Sequence, residues 1–178
     1  MDSLNIKQSR SILEVEMKLL QGYVENRTKE AALAAIMLAL FFVTRTYKIT
    51  INPAFSIDFA GAVIYSAASV LSYPYTILFS LSTLYLGSNM VVTLAFFLGS
   101  QAVFFLSRVV GEKWVPHTVG VGQLVSLPSY GLLLHFLGLM DFRVYIIGCG
   151  IPALICAITA YIGGLLFWKT FRGLGVIE

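Results

Sequence analysis

The polar stretch at residues 45–58 contains the side chains best suited to binding a small polar molecule. It combines hydrogen-bonding groups, aromatic rings and both signs of charge between apolar segments. The same residues also fit a simpler role at a membrane surface. In that role Arg45 and Lys48 would extend to the interface, and Asp58 would cap the following helix. Residue types alone leave both interpretations open.

Common motifs of catalysis and metal binding are missing from the sequence. It has no glycine-rich phosphate loop ending in Lys-Ser/Thr, no His-Glu-x-x-His and no Gly-x-Ser-x-Gly. His117 and His135 fall near opposite ends of one predicted helix, too far apart to share a metal. Cys149 and Cys156 lie about 10 Å apart along another helix, too far for a disulfide. We therefore expect no enzyme activity, no cofactor and no metal.

Charge is nearly excluded from most of the chain. Residues 59–107 contain no charged side chain, and neither do residues 114–140 or 144–168. A hydrophobic fraction of 58 %, a charged fraction of 12 % and a mean hydropathy of +0.84 are far from those of a water-soluble domain. Each charge-free run is long enough to cross a bilayer core of about 30 Å. The sequence predicts an all-α integral membrane protein, and no role in nucleic-acid binding.

Two turn signals divide residues 59–107 and set the number of spans. Breaks at residues 72–75 and 87–89 predict six helices, whereas ignoring one break predicts five. Six spans place seven basic residues on one side and three on the other; five spans place four and six, against the usual cytoplasmic excess. We expect a six-transmembrane-helix bundle in the cell membrane with both termini cytoplasmic. The predicted spans are residues 28–45, 58–72, 74–88, 90–108, 117–140 and 144–168.

Residues 1–28 form a separate amphipathic extension before the membrane domain at residues 29–178. Ile12, Val15, Leu19 and Tyr23 recur at helical spacing, with charged residues on the rest of the wheel. The pattern predicts a cytoplasmic helix that lies on the membrane or on a partner. The alternative is a simple extension of the first span with no role of its own.

The first predicted span carries a small residue at every fourth position: Ala31, Ala35 and Ala39. Such a stripe lets another helix backbone approach closely in lipid. The approaching helix could belong to a partner or to this chain. No Asp, Glu, Lys or Arg falls at the centre of any predicted span, so the ionisable groups that ion-coupled transporters use are missing.

These features resemble the substrate-binding S components of energy-coupling factor (ECF) transporters, which are six-helix membrane proteins of similar length. Ala31-x-x-x-Ala35 resembles the family's contact with its transmembrane coupling subunit. Residues 55–59, followed by Gly61, resemble its first loop, and the breaks at residues 72–75 and 87–88 resemble those around its third span. The resemblance covers residues 28–170. The long N-terminal extension departs from the family, and no residue pattern in the sequence identifies a substrate.

The resemblance implies a function and a ligand site. An S component captures a vitamin-like micronutrient from outside and docks on a coupling subunit that carries two cytoplasmic ATPases. The family's outward pocket maps by position onto Arg45, Tyr47, Lys48, Asn52, Asp58, Asn89, Thr93, His135, Arg143 and Tyr145. The two arginines could bind a carboxylate or phosphate, and the tyrosines could stack on a flat ring. Ala31, Ala35 and Ala39 would contact the coupling subunit.

Two other classes of protein share these sequence features. A non-transporting scaffold of an envelope or biogenesis complex could use the extension and the alanine stripe as docking faces. A solitary carrier or channel would transport a solute without partners.

Overall fold

The computed structural model describes residues 21–24, 26–47, 49–52, 55–57, 59–86 and 90–177, with side chains omitted at residues 49–52, 55–57 and 86. These residues are almost entirely helical. The helices are α1 (Arg27–Thr46), α2 (Ala60–Val70), α3 (Tyr73–Ser82), α4 (Met90–Val109), α5 (Val115–Phe136) and α6 (Phe142–Gly173). Two 3₁₀ segments, Thr83–Leu86 and Glu112–Trp114, extend α3 and precede α5. The extension predicted at residues 1–28 lies mostly outside the described residues.

Three helices within the described ranges are long and apolar enough to cross a membrane. They are α4, α5 with its preceding 3₁₀ turn, and α6. Helix α1 is as long as α4 but has Arg27, Lys29 and Glu30 in its first turn and Arg45 in its last. The chain is therefore a helical protein with three membrane-spanning candidates. A helix occupies each of the six predicted segments, but α2 and α3 are short, with 11 and 10 residues.

Helix α2 is the centre of the bundle. All 11 of its residues are buried, and it packs against each of the five other helices. Small residues occupy most of its positions, so neighbouring backbones can approach it from every side. Its one large aromatic residue, Tyr65, fits against Gly99 of α4 and Gly122 of α5, where a Cβ atom would lie within 2.9 Å of the ring.

Contacts between helix ends show that successive helices run in alternating directions. At one face Glu30 near the start of α1 bonds the residue before α3, and Arg108 at the end of α4 bonds the end of α2. At the same face Arg172 of α6 pairs with Glu112, just before α5. We call this the junction face. The opposite face holds the end of α1, the starts of α2, α4 and α6, and the ends of α3 and α5.

A short β-hairpin connects α1 to α2 at that opposite face. Strands β1 (Ile49–Asn52) and β2 (Phe55–Ile57) are antiparallel, with Ile49 opposite Ile57 and an irregular register between Thr50 and Asn52. Strand β2 also contacts α6. The sequence did not predict these strands, since residues 45–58 had been interpreted as a polar loop.

Candidate functional site

Arg45 and Tyr47 lie at the end of α1. The guanidinium carbon of Arg45 is 5.9 Å from the centre of the Phe96 ring on α4, a cation–π distance. Tyr47 ends the helix and is 77 % exposed. The hairpin begins two residues later, so a cation and an aromatic ring flank its base.

Several predicted ligand residues belong to the connections at this face. Asn52 ends β1 and pairs across the hairpin with Phe55. Lys48, Asp58 and Asn89 lie outside the described residues.

Thr93 and Tyr145 are buried and hold the bundle together. The hydroxyl of Thr93 is hydrogen bonded to that of Thr83, 3.0 Å away. The hydroxyl of Tyr145 donates to the carbonyl oxygen of Leu127 at 2.8 Å, and its ring fills a notch at Gly131. Because both hydroxyls have partners within the chain, each has a structural role whether or not a ligand binds.

His135 and Arg143 lie on the two sides of the α5–α6 turn and are exposed. His135 is in the last turn of α5 beside Phe136, with ring centres 6.2 Å apart. The backbone N–H of Arg143 donates to the carboxylate of Asp141, which caps α6. This bond fixes the backbone of Arg143 at the start of α6 and leaves its side chain exposed.

The described candidates all lie near helix ends that point away from the junction face, but they do not form one cluster. Thr44, next to Arg45, lies beside the part of α6 that begins at Thr159, about 24 Å along that helix from Arg143. Arg45 and Tyr47 end α1, Thr93 begins α4, His135 ends α5, and Arg143 and Tyr145 begin α6. Either arginine could bind an anionic group, and the exposed Tyr47 ring could stack on an aromatic solute. Within the described ranges, no three His, Cys, Asp or Glu side chains are arranged to hold a metal ion.

No family model, no curated protein and no solved structure matches this chain. Its function must be inferred from its own residues.

The alanine stripe faces outward from the described bundle. Ala31, Ala35 and Ala39 are exposed, whereas Leu33, Met37 and Phe41 form the buried face of α1. The sequence left open whether this stripe packs against a helix of this chain or of a partner. Among the described residues, it does not pack against a helix of this chain. The stripe is available to a helix from elsewhere.

A second polar site, which the sequence reasoning missed, lies at the junction face. We call Tyr23, Glu30 and Arg108 the junction cluster, since they surround the break between α2 and α3. Arg108 donates to the carbonyl oxygens of Ser69 and Leu71, each at 2.7 Å, and the Tyr23 N–H donates to that of Val70 at 2.8 Å. Three consecutive carbonyl groups at the end of α2 thereby gain donors that the helix cannot supply.

The same cluster begins the next helix. A carboxylate oxygen of Glu30 accepts the N–H of Ser72, the residue before α3. The Arg108 guanidinium also lies 4.8 Å from the Tyr23 ring centre and 4.4 Å from that of Phe104. Burial raises the pKa of Tyr23 and nearby Arg108 partly opposes it, so its hydroxyl stays protonated at neutral pH and donates to the Ser107 carbonyl. The sequence contained one signal of this second site, because Arg108 is the charged residue that follows the longest charge-free run.

Helices α5 and α6 are joined by a further polar contact near the junction face. Nδ1 of His117 is 2.8 Å from the Tyr161 hydroxyl, and the His117 ring packs against Trp114. The sequence reasoning considered His117 only as a metal ligand and excluded it. In the fold it links two long helices.

Proposed function

We propose that this chain is the substrate-binding S component of an ECF-type importer. In this proposal it crosses the cell membrane six times with both termini in the cytoplasm. It captures a vitamin-like micronutrient at the face that carries Arg45 and Arg143. It passes the molecule inward when a transmembrane coupling subunit and two cytoplasmic ATPases act on it.

The outward stripe on α1 is the observation that carries the proposal. Ala31, Ala35 and Ala39 lie on the exposed side of α1, together with larger apolar residues such as Ile36 and Leu40, so this apolar surface of the helix includes positions suited to close helix contact. A capture subunit without an ATP site or an ion relay must dock on a protein that supplies energy. The stripe provides a surface of the kind that such docking requires.

The arrangement of α2 supports six crossings despite its length. Eleven residues span about 16 Å, roughly half of a bilayer core. Because α2 is enclosed on all sides by other helices, it does not need to match the lipid thickness itself. The start of α1 and the end of α6 both lie at the junction face, which is what an even number of crossings would require and supports the proposal.

Capture would use the outer face and the hairpin together. Arg45 and Arg143 would supply positive charge for a carboxylate or phosphate, and Tyr47 would supply an exposed ring for stacking. The hairpin, with Asn52 at its turn, lies between α1 and α2 and could close over the ligand. Whether Arg45 keeps its contact with the Phe96 ring would then depend on the charge of the ligand.

The decisive experiment combines ligand detection with transport. Native mass spectrometry of the full chain purified in mild detergent should show a bound metabolite, and Arg45→Gln should lower its occupancy. A matched Arg27→Gln variant removes an exposed arginine from the other end of α1 and should not. Purified protein that is always empty, or that copurifies with proteins lacking ATPase motifs, would favour the scaffold. Solute uptake by the reconstituted chain alone would favour a solitary carrier.

A further inference from the structure

A non-helical segment, residues 21–24, crosses the junction face before α1 begins at Arg27. We call these four residues the strap. They run from an exposed Gln21 to a buried Val24, which belongs to the hydrophobic core. Nε of Arg108 donates to the carbonyl oxygen of Gln21 at 3.0 Å, so the first residue of the strap is bound to the end of α4.

Gly22 lets the strap lie directly against the connection between α2 and α3. A Cβ atom at this position would be 2.6 Å from the Ser72 nitrogen, 2.7 Å from the Val70 carbonyl oxygen and 2.9 Å from a Glu30 carboxylate oxygen. Two of these three atoms belong to the backbone, which cannot turn aside as a flexible side chain can. A large side chain at this position would therefore push the strap away from the bundle.

Tyr23 contacts three helices at the junction face. Its N–H donates to the carbonyl oxygen of Val70 in α2 at 2.8 Å, and its hydroxyl donates to that of Ser107 in α4 at 2.7 Å. Its ring meets the Trp168 ring of α6 edge-on, with centres 5.6 Å apart. Within the described residues, α4 and α6 pack on α2 and on α5 but have little contact with each other. Tyr23 therefore bridges the ends of two helices that meet mainly through their neighbours.

An ion pair also connects α6 to the end of α4. Arg172 of α6 pairs with Glu112, in the turn that follows α4, and the two side chains are 50 % and 48 % exposed. Exposed ion pairs contribute little to stability because water screens them. The Tyr23 bond is better protected, since its acceptor residue Ser107 is fully buried. We therefore expect Tyr23 to be the stronger of the two connections.

We propose that the strap is a latch on the junction face. While Tyr23 is bound, the ends of α4 and α6 are held together; when the strap leaves, α6 can move away from α4. The strap can detach without the unfolding of any helix, because it is non-helical and its first residue is exposed. Water at this face can then donate to the carbonyl oxygens of Val70 and Ser107. The latch does not depend on the proposed capture of a micronutrient, and a scaffold could use it equally.

Hydrogen–deuterium exchange tests whether the strap opens by itself. The full chain in phosphatidylcholine nanodiscs is analysed by mass spectrometry with fragmentation to single residues. The Tyr23 amide should exchange at least about tenfold faster than the amides of Val103 and Phe104, which are buried in α4, because only the strap has to open. Equal exchange at the three amides would mean that the strap opens only with the helices, and this would overturn the proposal.

Spin-label distances test whether the strap holds the two helices together. In a protein lacking Cys149 and Cys156, labels are attached at the exposed positions of Val109→Cys on α4 and Lys169→Cys on α6. Gly22→Leu should displace the strap and lengthen the mean distance between the labels by several ångströms. The same variant should speed the exchange of the amide at residue 23.

Two further variants complete the test. Gly150→Leu adds the same bulk on α6 where a Cβ atom would meet nothing within 4 Å, and it should leave the label distance unchanged. Tyr23→Ala removes the bridge without adding bulk and repeats the test should Gly22→Leu misfold. Faster exchange in Gly22→Leu with an unchanged label distance would refute the latch. Unchanged exchange in Gly22→Leu, or equal lengthening in Gly150→Leu, would refute it as well.

Discussion

At the scale of single residues, Arg108 shows how one charge can hold a break in a buried helix. The chain leaves helical geometry at Leu71 and Ser72, so the carbonyl groups at the end of α2 lack partners within the helix. The guanidinium group has several donors in a fixed plane, so it can serve Ser69, Leu71 and Gln21 together. A lysine has one donor centre and cannot reproduce this geometry.

Arg108→Gln should destabilise the purified protein by about 2–4 kcal/mol, because it leaves several buried carbonyls without a donor. The stability of Arg108→Lys should fall between that of Arg108→Gln and that of the natural protein. The measurement is the thermal unfolding midpoint in detergent, with Arg27→Gln as the exposed control. If the natural protein and the three variants had the same unfolding midpoint, the junction cluster would have no structural role.

At the scale of elements, glycines determine how closely the long helices approach. Gly164 of α6 receives the Val119 side chain of α5, and Gly131 of α5 receives the Tyr145 ring. A Cβ at Gly131 would lie 2.2 Å from Tyr145 Cδ1, a distance that forces a displacement. The α5–α6 pair therefore depends on missing side chains as much as on present ones.

Gly131→Ala should cost about 1–3 kcal/mol through overpacking against Tyr145. Gly150→Ala is the matched control on α6, where a Cβ would meet nothing within 4 Å. Because alanine has a greater helix propensity than glycine, the stability of Gly150→Ala should be unchanged or slightly raised. Thermal unfolding midpoints of the two variants decide the question; a stable Gly131→Ala protein would mean that the ring moves freely.

The exposed stripe on α1 gives a second prediction for an element. Replacing Ala31 and Ala35 together with leucine should abolish copurification with a coupling subunit while sparing ligand occupancy and stability. The reason is that bulk on this exposed side of α1 would block a close helix contact. Gly148→Leu adds similar bulk at an open position of α6 and should leave copurification intact.

Loss of both ligand occupancy and copurification in the α1 double variant would indicate a folding role instead. Loss of neither would remove the stripe as a docking face.

At the scale of the whole molecule, alternating helix directions define two faces with different chemistry. The junction face joins helix ends through Glu30, Arg108 and the Glu112–Arg172 pair. The opposite face carries the hairpin and the candidate ligand residues. In the proposed function, the opposite face would be the outer face that captures the ligand.

Cysteine labelling tests the topology. In a protein lacking Cys149 and Cys156, Tyr47→Cys should react with a membrane-impermeant maleimide in intact cells, because Tyr47 is 77 % exposed and lies between the first two predicted spans. Ser3→Cys and Glu178→Cys should react only after permeabilisation. Reaction of one terminus, but not the other, from outside would contradict an even number of crossings.

Charge-free runs and turn signals were enough to predict the helical class and the approximate place of each helix. These features are local, since hydropathy and proline or glycine breaks act over a few residues. The break at residues 72–75 is an example: it lies where α2 ends and α3 begins. The roles of the candidate ligand residues stay predictions, because a list of polar residues does not state which atoms they meet.

The amino-acid sequence by itself thus determined a membrane-associated helical chain with polar residues between its apolar segments. Tertiary structure decided the features that depend on contacts between distant parts of the chain. It placed α2 at the centre, turned Ala31, Ala35 and Ala39 outward, and brought Arg108 to carbonyls 37 and 39 positions away. Hydropathy records how apolar a side chain is but not which neighbour covers it, and a helix wheel has no preferred face until the other helices pack.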